Sequence, residues 1–165
     1  WTHLLSLNWL RQHQHVLLIG PTGVGKSYLG CALARAAIDA RHSVRYLRLP
    51  RLGDELSALQ AQGRTSHWLK TLSRIDLLIL DDFGLVPMCA EHQPLLLELL
   101  EDRHQRGSVL LTSQLPLKLW HGQFKDPTLA DAILDRLVHN AYHLTLKGES
   151  LRKRHARLPA AAPPA

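Results

Sequence analysis

Two cysteines in 165 residues leave little room for sulfur chemistry. Cys31 and Cys89 have no metal-ligand spacing. The surrounding pattern puts Cys31 in a helix and Cys89 near a loop, so two reduced thiols are expected rather than a structural disulfide. No apolar run approaches the ~20 residues that a membrane span needs. No signal peptide is visible and no internal repeat recurs. These gaps point to a cytoplasmic protein without membrane contact. The chain opens with Trp1 rather than Met, so it is expected to be excised from something longer. Extended disorder is excluded because 45% of the residues are hydrophobic. Residues 1–154 are expected to form one domain, with 1–15 as a lead-in packed on the sheet edge. The Pro/Ala-rich stretch 155–165 is expected to be disordered.

Charge is present and one-sided, at +6 with histidine neutral. That favours an acidic partner such as nucleic acid. In residues 51–74, Arg51, Arg64, Lys70 and Arg74 lack a balancing number of acids. Together with Arg45 and Arg48 on the preceding strand, Arg51, Arg64 and Lys70 are candidate DNA contacts, read from charge alone. A solvated helix surface is the competing reading.

The stretch that organises the chain is Gly20-Pro21-Thr22-Gly23-Val24-Gly25-Lys26-Ser27. It follows the apolar run Val16–Ile19 and opens a helical pattern, the setting that G-x-x-x-x-G-K-[ST] requires. Glycines let the backbone turn tightly and form a nest of amides for phosphate oxygens. The N-terminus of the next helix adds positive potential there. Residues 20–28, ending at Tyr28, are the candidate nucleotide-binding segment. Lys26 suits the β- and γ-phosphates, and Ser27 offers a hydroxyl to Mg²⁺. A second anchor is the run Ile75–Asp82. An uninterrupted apolar run suits a parallel strand buried on both faces. Its two terminal carboxylates fall where α/β sheets bind ligands. Asp81 would hold Mg²⁺, and Asp82 would orient the attacking water.

Other elements follow from period and punctuation. A helix from Lys26 to near Arg41 packs Leu29, Ala32, Leu33, Ala36 and Ala37 on the sheet. Residues 43–49 alternate as a strand, and 51–74 read as helices broken near Gly63. Glu91–Arg106 reads as a helix on which Leu96, Leu99, Leu100 and Arg103 share a face. Asp102 and Arg106 are spaced to pair at i,i+4. Ser108–Ser113 is a strand. A polar group at its end, Ser113 or Gln114, would sit beside the γ-phosphate. Asp126-Pro127 starts a helix. On it Arg136 has no acid at i±3 or i±4, so its partner must come from elsewhere. Residues 141–146 alternate as a last strand. Together these predict an α/β fold: a three-layer α-β-α P-loop NTPase core around a parallel sheet.

Several stretches resemble the IstB-like transposition helper ATPases of the AAA+ class, relatives of the DnaC-type helicase loaders. The resemblance rests on residues 20–27, Tyr46–Leu52, Asp76–Leu85, Leu111–Pro116, Asp126–Ala141 and Leu146–Lys153. It implies a sheet of order 5-1-4-3-2, ATP and Mg²⁺ as cofactors and assembly as a homo-oligomer on double-stranded DNA. It implies a transposase partner and hydrolysis that governs disassembly. Lys26, Ser27, Asp81 and Asp82 match the phosphate and Mg²⁺ positions, Gln114 the sensor, and Arg136 an arginine finger acting in trans. Arg103 lies in a Glu-Asp-Arg pattern with an intersubunit contact as one option. Arg152 weakly resembles a second sensor, without the full C-terminal helical lid that usually carries it. A helicase loader with the same chemistry, and more remotely a small-molecule P-loop kinase, are the alternative readings.

Overall fold

The computed structural model describes residues 2–151. A single parallel sheet contains β1 (His15–Ile19), β2 (Val44–Arg48), β3 (Leu77–Phe83), β4 (Ser108–Ser113) and β5 (Ala141–Thr145). Its order is β2-β3-β4-β1-β5, the expected one. Helices α1 (Thr2–Leu5), α2 (Asn8–Arg11) and α3 (Lys26–Asp39) precede β2. They are followed by α4 (Leu49–Ala61), α5 (Thr65–Ser73), α6 (Gln93–Asp102) and α7 (Pro127–Val138).

Strand handedness sorts the helices into layers. The chain steps β2, β3, β4 and then over β1 to β5 in one direction, but β1 to β2 in the other. Right-handed crossovers therefore put α3 on one face and α4–α7 on the opposite face. The two hydrophobic clusters follow this division. Leu33 and Ala37 of α3 pack on Val16, Leu18, Leu77, Ile79 and Leu110. Leucines of α4, α5 and α6 and Ile133 of α7 pack on Leu17, Leu78, Leu80, Val109 and Leu111. The central strands β1, β3 and β4 are buried almost throughout, as strands covered on both faces must be.

Three expectations change. The lead-in covers a face of the sheet rather than its edge: Leu4, Leu7, Trp9 and Leu10 join the α3-side cluster. Burying the Trp9 ring removes more apolar area from water than an edge position allows, and its indole N–H donates to the Leu4 carbonyl at 2.9 Å. The helix expected from residue 51 begins earlier, at Leu49, with Pro50 in its first turn. Helix α6 ends at Asp102, so the turn from Arg103 to Gly107 breaks the spacing that would have paired Asp102 with Arg106. Arg152 and the stretch 155–165 lie outside the described residues.

Arg103 itself is 1% exposed. Its guanidinium donates to the carbonyls of Leu72 at 2.6 Å, Ile75 at 2.7 Å, Asp76 at 3.4 Å and Ser108 at 2.7 Å. These carbonyls belong to the last turn of α5, the α5–β3 connection and the first residue of β4. A side chain that satisfies buried main-chain oxygens inside its own subunit is not available to a neighbour, which corrects the intersubunit option. Burial pulls its pKa down to about 10, against a smaller opposing effect from Asp76.

Candidate functional site

The switch point of the sheet lies between β1 and β4, whose onward connections depart to opposite faces. Ligands of open α/β sheets bind beyond the carboxyl ends of strands at such a point. A cleft of about 720 Å³ opens there. Its walls include Gly23, Lys26, Ser27 and Tyr28 from the loop and α3, Arg48 and Asp82 from β2 and β3, and Gln114 beyond β4.

The loop is built as its glycines suggest. Gly23 and Gly25 have φ of +83° and +96°, a region that side chains rarely enter. Gly20 is needed for another reason. A Cβ there would lie 2.4 Å from the Leu146 carbonyl oxygen, just beyond β5. Lys26 is 6% exposed, and its Nζ donates to the carbonyls of Gly20 at 2.7 Å and Pro21 at 2.8 Å. Burial lowers its pKa while Asp82 and Asp81 raise it. Thr22 Oγ1 donates to Gln114 Oε1 at 2.5 Å, tying the loop to the end of β4. Tyr28 is 77% exposed at the cleft margin.

Opposite the loop, Asp81 is 3% exposed and accepts three hydroxyls. Ser27 Oγ lies 3.0 and 3.1 Å from its two oxygens, Thr112 Oγ1 lies 2.5 Å from Oδ1, and the Tyr46 hydroxyl donates to Oδ2. The Tyr46 phenol is pushed above its ordinary pKa by burial first and by Asp81 second, so it remains a donor. Asp82 takes a different partner: Arg48 Nη2 sits 2.9 Å from Asp82 Oδ2. The pairing raises the Arg48 pKa further.

The donor set fits MgATP. Ser27 and Asp81 offer a hydroxyl and a carboxylate, hard oxygens of the kind Mg²⁺ takes, next to a loop shaped for phosphates. Among the described residues no three His, Cys, Asp or Glu side chains group into a self-sufficient metal cage. A site whose remaining ligands come from substrate phosphates needs none. Lys26 Nζ, held only by loop carbonyls, is free to exchange them for phosphate oxygens.

The structure thus brings together Lys26, Ser27, Asp81, Asp82 and Gln114. It separates Arg136 from them. Arg136 lies in the last turn of α7, which runs back to the amino-terminal edge of the sheet before β5. Its acid partner is Glu101 of α6, at 2.6 Å, while the Ala132 carbonyl accepts at 2.9 Å. Among the candidate DNA contacts, Arg45, Arg51, Arg64 and Lys70 are exposed along β2, α4 and α5. Arg48 departs from that surface by turning into the cleft. Thr112 and Tyr46 were missed in the sequence. Thr112 offered one signal, as a hydroxyl in an otherwise apolar strand beside the carboxylates.

This fold and this cleft define a P-loop nucleotide-binding core. Residues 2–159 match the family described as IstB-like ATP binding protein, and the chain belongs to it. An insertion-sequence ATP-binding protein of Sinorhizobium fredii is 48% identical over 150 residues, covering 91% of this chain and 60% of the relative. The ATP-binding protein of insertion sequence IS21 from Pseudomonas aeruginosa is 40% identical over 154 residues, covering 93% and 58%. The chain therefore spans about three-fifths of the length of these relatives. The crystal structure of DnaI superposes with a TM-score of 0.77 at 19% identity, over 88% of this chain and 80% of that one. The DnaC helicase loader gives 0.69 at 18% identity, over 88% and 85%. At these identities the likeness is one of fold. No helix among the described residues is long and apolar enough to cross a membrane.

Proposed function

We propose that this chain is the ATPase core of a transposition helper that works in the cytoplasm. It binds MgATP, assembles with copies of itself on double-stranded DNA and engages a transposase there. The observation that carries this reading is the convergence of Lys26, Ser27, Asp82 and Gln114 on one cleft, with Asp81 hydrogen-bonded to Ser27 directly behind it. In the loaded site Lys26 gives up the Gly20 and Pro21 carbonyls for the β- and γ-phosphates. Ser27 and Asp81 hold Mg²⁺, which when bound neutralises charge developing on the phosphates. Asp82 orients the attacking water, and Gln114 hydrogen-bonds the γ-phosphate.

Arg136 cannot serve its own cleft, because it sits at the other edge of the sheet. It suits a neighbour's cleft, where an arginine supplied in trans is worth a factor of about 10³ to 10⁵ in rate. A lone subunit is therefore slow. Arg45, Arg51, Arg64 and Lys70 would track a phosphate backbone, and their contribution should fall steeply with salt. A helicase-loader role is the second reading, favoured by the likeness in fold to DnaI and DnaC.

The direct test is nucleotide binding by Lys26→Ala. Binding is expected to disappear, and unchanged ATP affinity would refute the site. Electron microscopy with duplex DNA and a non-hydrolysable ATP analogue tests assembly. Ordered rings or filaments are expected, and their absence overturns that part. Capture of a transposase rather than a replicative helicase separates the two partner readings.

A further inference from the structure

Asp81 and Asp82 are adjacent, and in a regular strand adjacent side chains point to opposite faces. Here both serve the same end of the sheet. The register explains how. Leu80 pairs with Leu111 of β4, but the next pairing is Phe83 with Ser113, so β3 carries one residue more than β4 across this interval. The extra residue is a bulge, and bulges re-aim side chains beside active sites. Asp82 sits in it with φ of +64°, a conformation that costs a non-glycine residue free energy and persists only where neighbours impose it.

The neighbour that imposes it is Thr112. The bulge takes the Asp82 amide out of the ladder, and that amide donates instead to Thr112 Oγ1 at 3.1 Å. The same oxygen donates its own proton to Asp81 Oδ1 at 2.5 Å. One hydroxyl thus fixes the backbone of Asp82 and the carboxylate of Asp81. Thr112 is fully buried, with 0% exposure, so water does not replace it. From the other side the Tyr46 hydroxyl holds Oδ2 of Asp81. Of the three hydroxyls on Asp81, only that of Ser27 belongs to a residue lining the cleft. Ser27 can leave Asp81 for a metal ion while Thr112 and Tyr46 keep the carboxylate aimed.

We infer that Thr112 and Tyr46 are positioning residues for the metal-binding carboxylate, and that Thr112 also sets the direction of Asp82. The inference rests on the MgATP reading of the cleft. Groups that orient a metal ligand typically change metal affinity by about 10- to 100-fold when removed. Thr112→Val keeps the shape and removes the hydroxyl, Thr112→Ser keeps the hydroxyl, and Tyr46→Phe removes only the phenolic oxygen.

The measurement is Mn²⁺ affinity by electron paramagnetic resonance with a non-hydrolysable ATP analogue present. Analogue affinity in EDTA and the urea midpoint are recorded alongside. Thr112→Val is expected to weaken Mn²⁺ binding at least tenfold and leave metal-free analogue affinity within about twofold. Thr112→Ser should restore Mn²⁺ binding, and Tyr46→Phe should weaken it less than Thr112→Val. A purely structural threonine would move the urea midpoint without moving Mn²⁺ affinity, and that result overturns the inference. So does a serine variant as weak as the valine one. If Thr112→Val does not fold, Tyr46→Phe on the exposed edge strand decides, and unchanged Mn²⁺ affinity in it ends the idea. Failure of the unmodified chain to bind the analogue would instead refute the site reading.

Discussion

Replacing Arg103 with methionine removes a buried cation that among the described residues makes no ion pair. Nη1 serves the Leu72 and Ile75 carbonyls, and Nη2 serves those of Asp76 and Ser108. The Leu72 carbonyl keeps the Ile75 amide at 3.2 Å, and the Asp76 carbonyl keeps the Ser108 amide at 2.8 Å. The loss is therefore smaller than four whole bonds. The Ser108 carbonyl stays in the β3–β4 ladder, so the Ile75 carbonyl is the one left without a donor, at about 1–3 kcal/mol, and the three weakened acceptors add about 1–2 kcal/mol. Relief of the cation's own desolvation subtracts from this, leaving about 2–3 kcal/mol. For a domain of this size that corresponds to a drop of about 1–1.5 M in the urea midpoint at a typical slope. Lysine should recover only part, because one ammonium on a flexible stem cannot span both pairs of carbonyls. Gly107 offers a cross-check. A Cβ there would lie 2.7 Å from Arg103 Nη2 and 2.9 Å from the Ile75 oxygen, so Gly107→Ala should destabilise the wild type and cost less beside Arg103→Met. Chemical denaturation with and without ATP analogue is the assay. Arg103→Met is expected to lose stability while its folded fraction keeps analogue affinity, since the cleft is at the other edge of the sheet. A variant within about 1 kcal/mol of wild type that had lost oligomerisation would refute the structural role.

Two further outcomes follow from the same geometry. His15 is buried at the start of β1 and its Nδ1 accepts the Val109 amide at 3.1 Å. Burial, and then the charge of Arg103, lower its pKa from 6.5 to about 4. The unfolded chain binds the proton more readily, so this contribution is complete above pH 6.5 and lost as pH falls toward 4, by about 3 kcal/mol in all. Urea midpoints at pH 7.5 and pH 5 should diverge less in His15→Gln than in wild type, and equal divergence would remove His15 as the cause. Arg136→Ala should leave ATP binding intact, cost at most about 1 kcal/mol of stability through its half-exposed Glu101 pair, and abolish DNA-stimulated hydrolysis. Full stimulated turnover in that variant would take Arg136 out of the mechanism.

Much of the site was legible because its two halves are local patterns. The glycine spacing before Lys26 and the apolar run before Asp81 each state their chemistry within eight or so residues. Their meeting was also legible, because parallel strands with right-handed crossovers leave few arrangements in which both ends face one crevice. What failed were the pairings of the arginines, which depended on neighbours distant in sequence. Arg136 lacked an acid at i±3 or i±4 on its own helix, and Glu101 is 35 residues away. Arg103 shared an apolar face correctly, yet its carbonyl partners were invisible because the turn that presents them has no sequence signature. Arg48 looked like part of a basic ridge until the edge strand carried it over Asp82.

The residues by themselves determined the loop, the carboxylates at the end of a buried strand and the alternation of strands and helices, since each follows from spacing along the chain. Only the folded protein decided where β3 bulges, which hydroxyls hold Asp81, and which arginine is buried. Those depend on what lies alongside in the sheet: Thr112 meets Asp81 across 31 positions of sequence, and Ser27 meets it across 54. No periodicity reports a contact made between strands, because a hydrogen bond's partner is chosen by packing and by the need to satisfy buried polar groups.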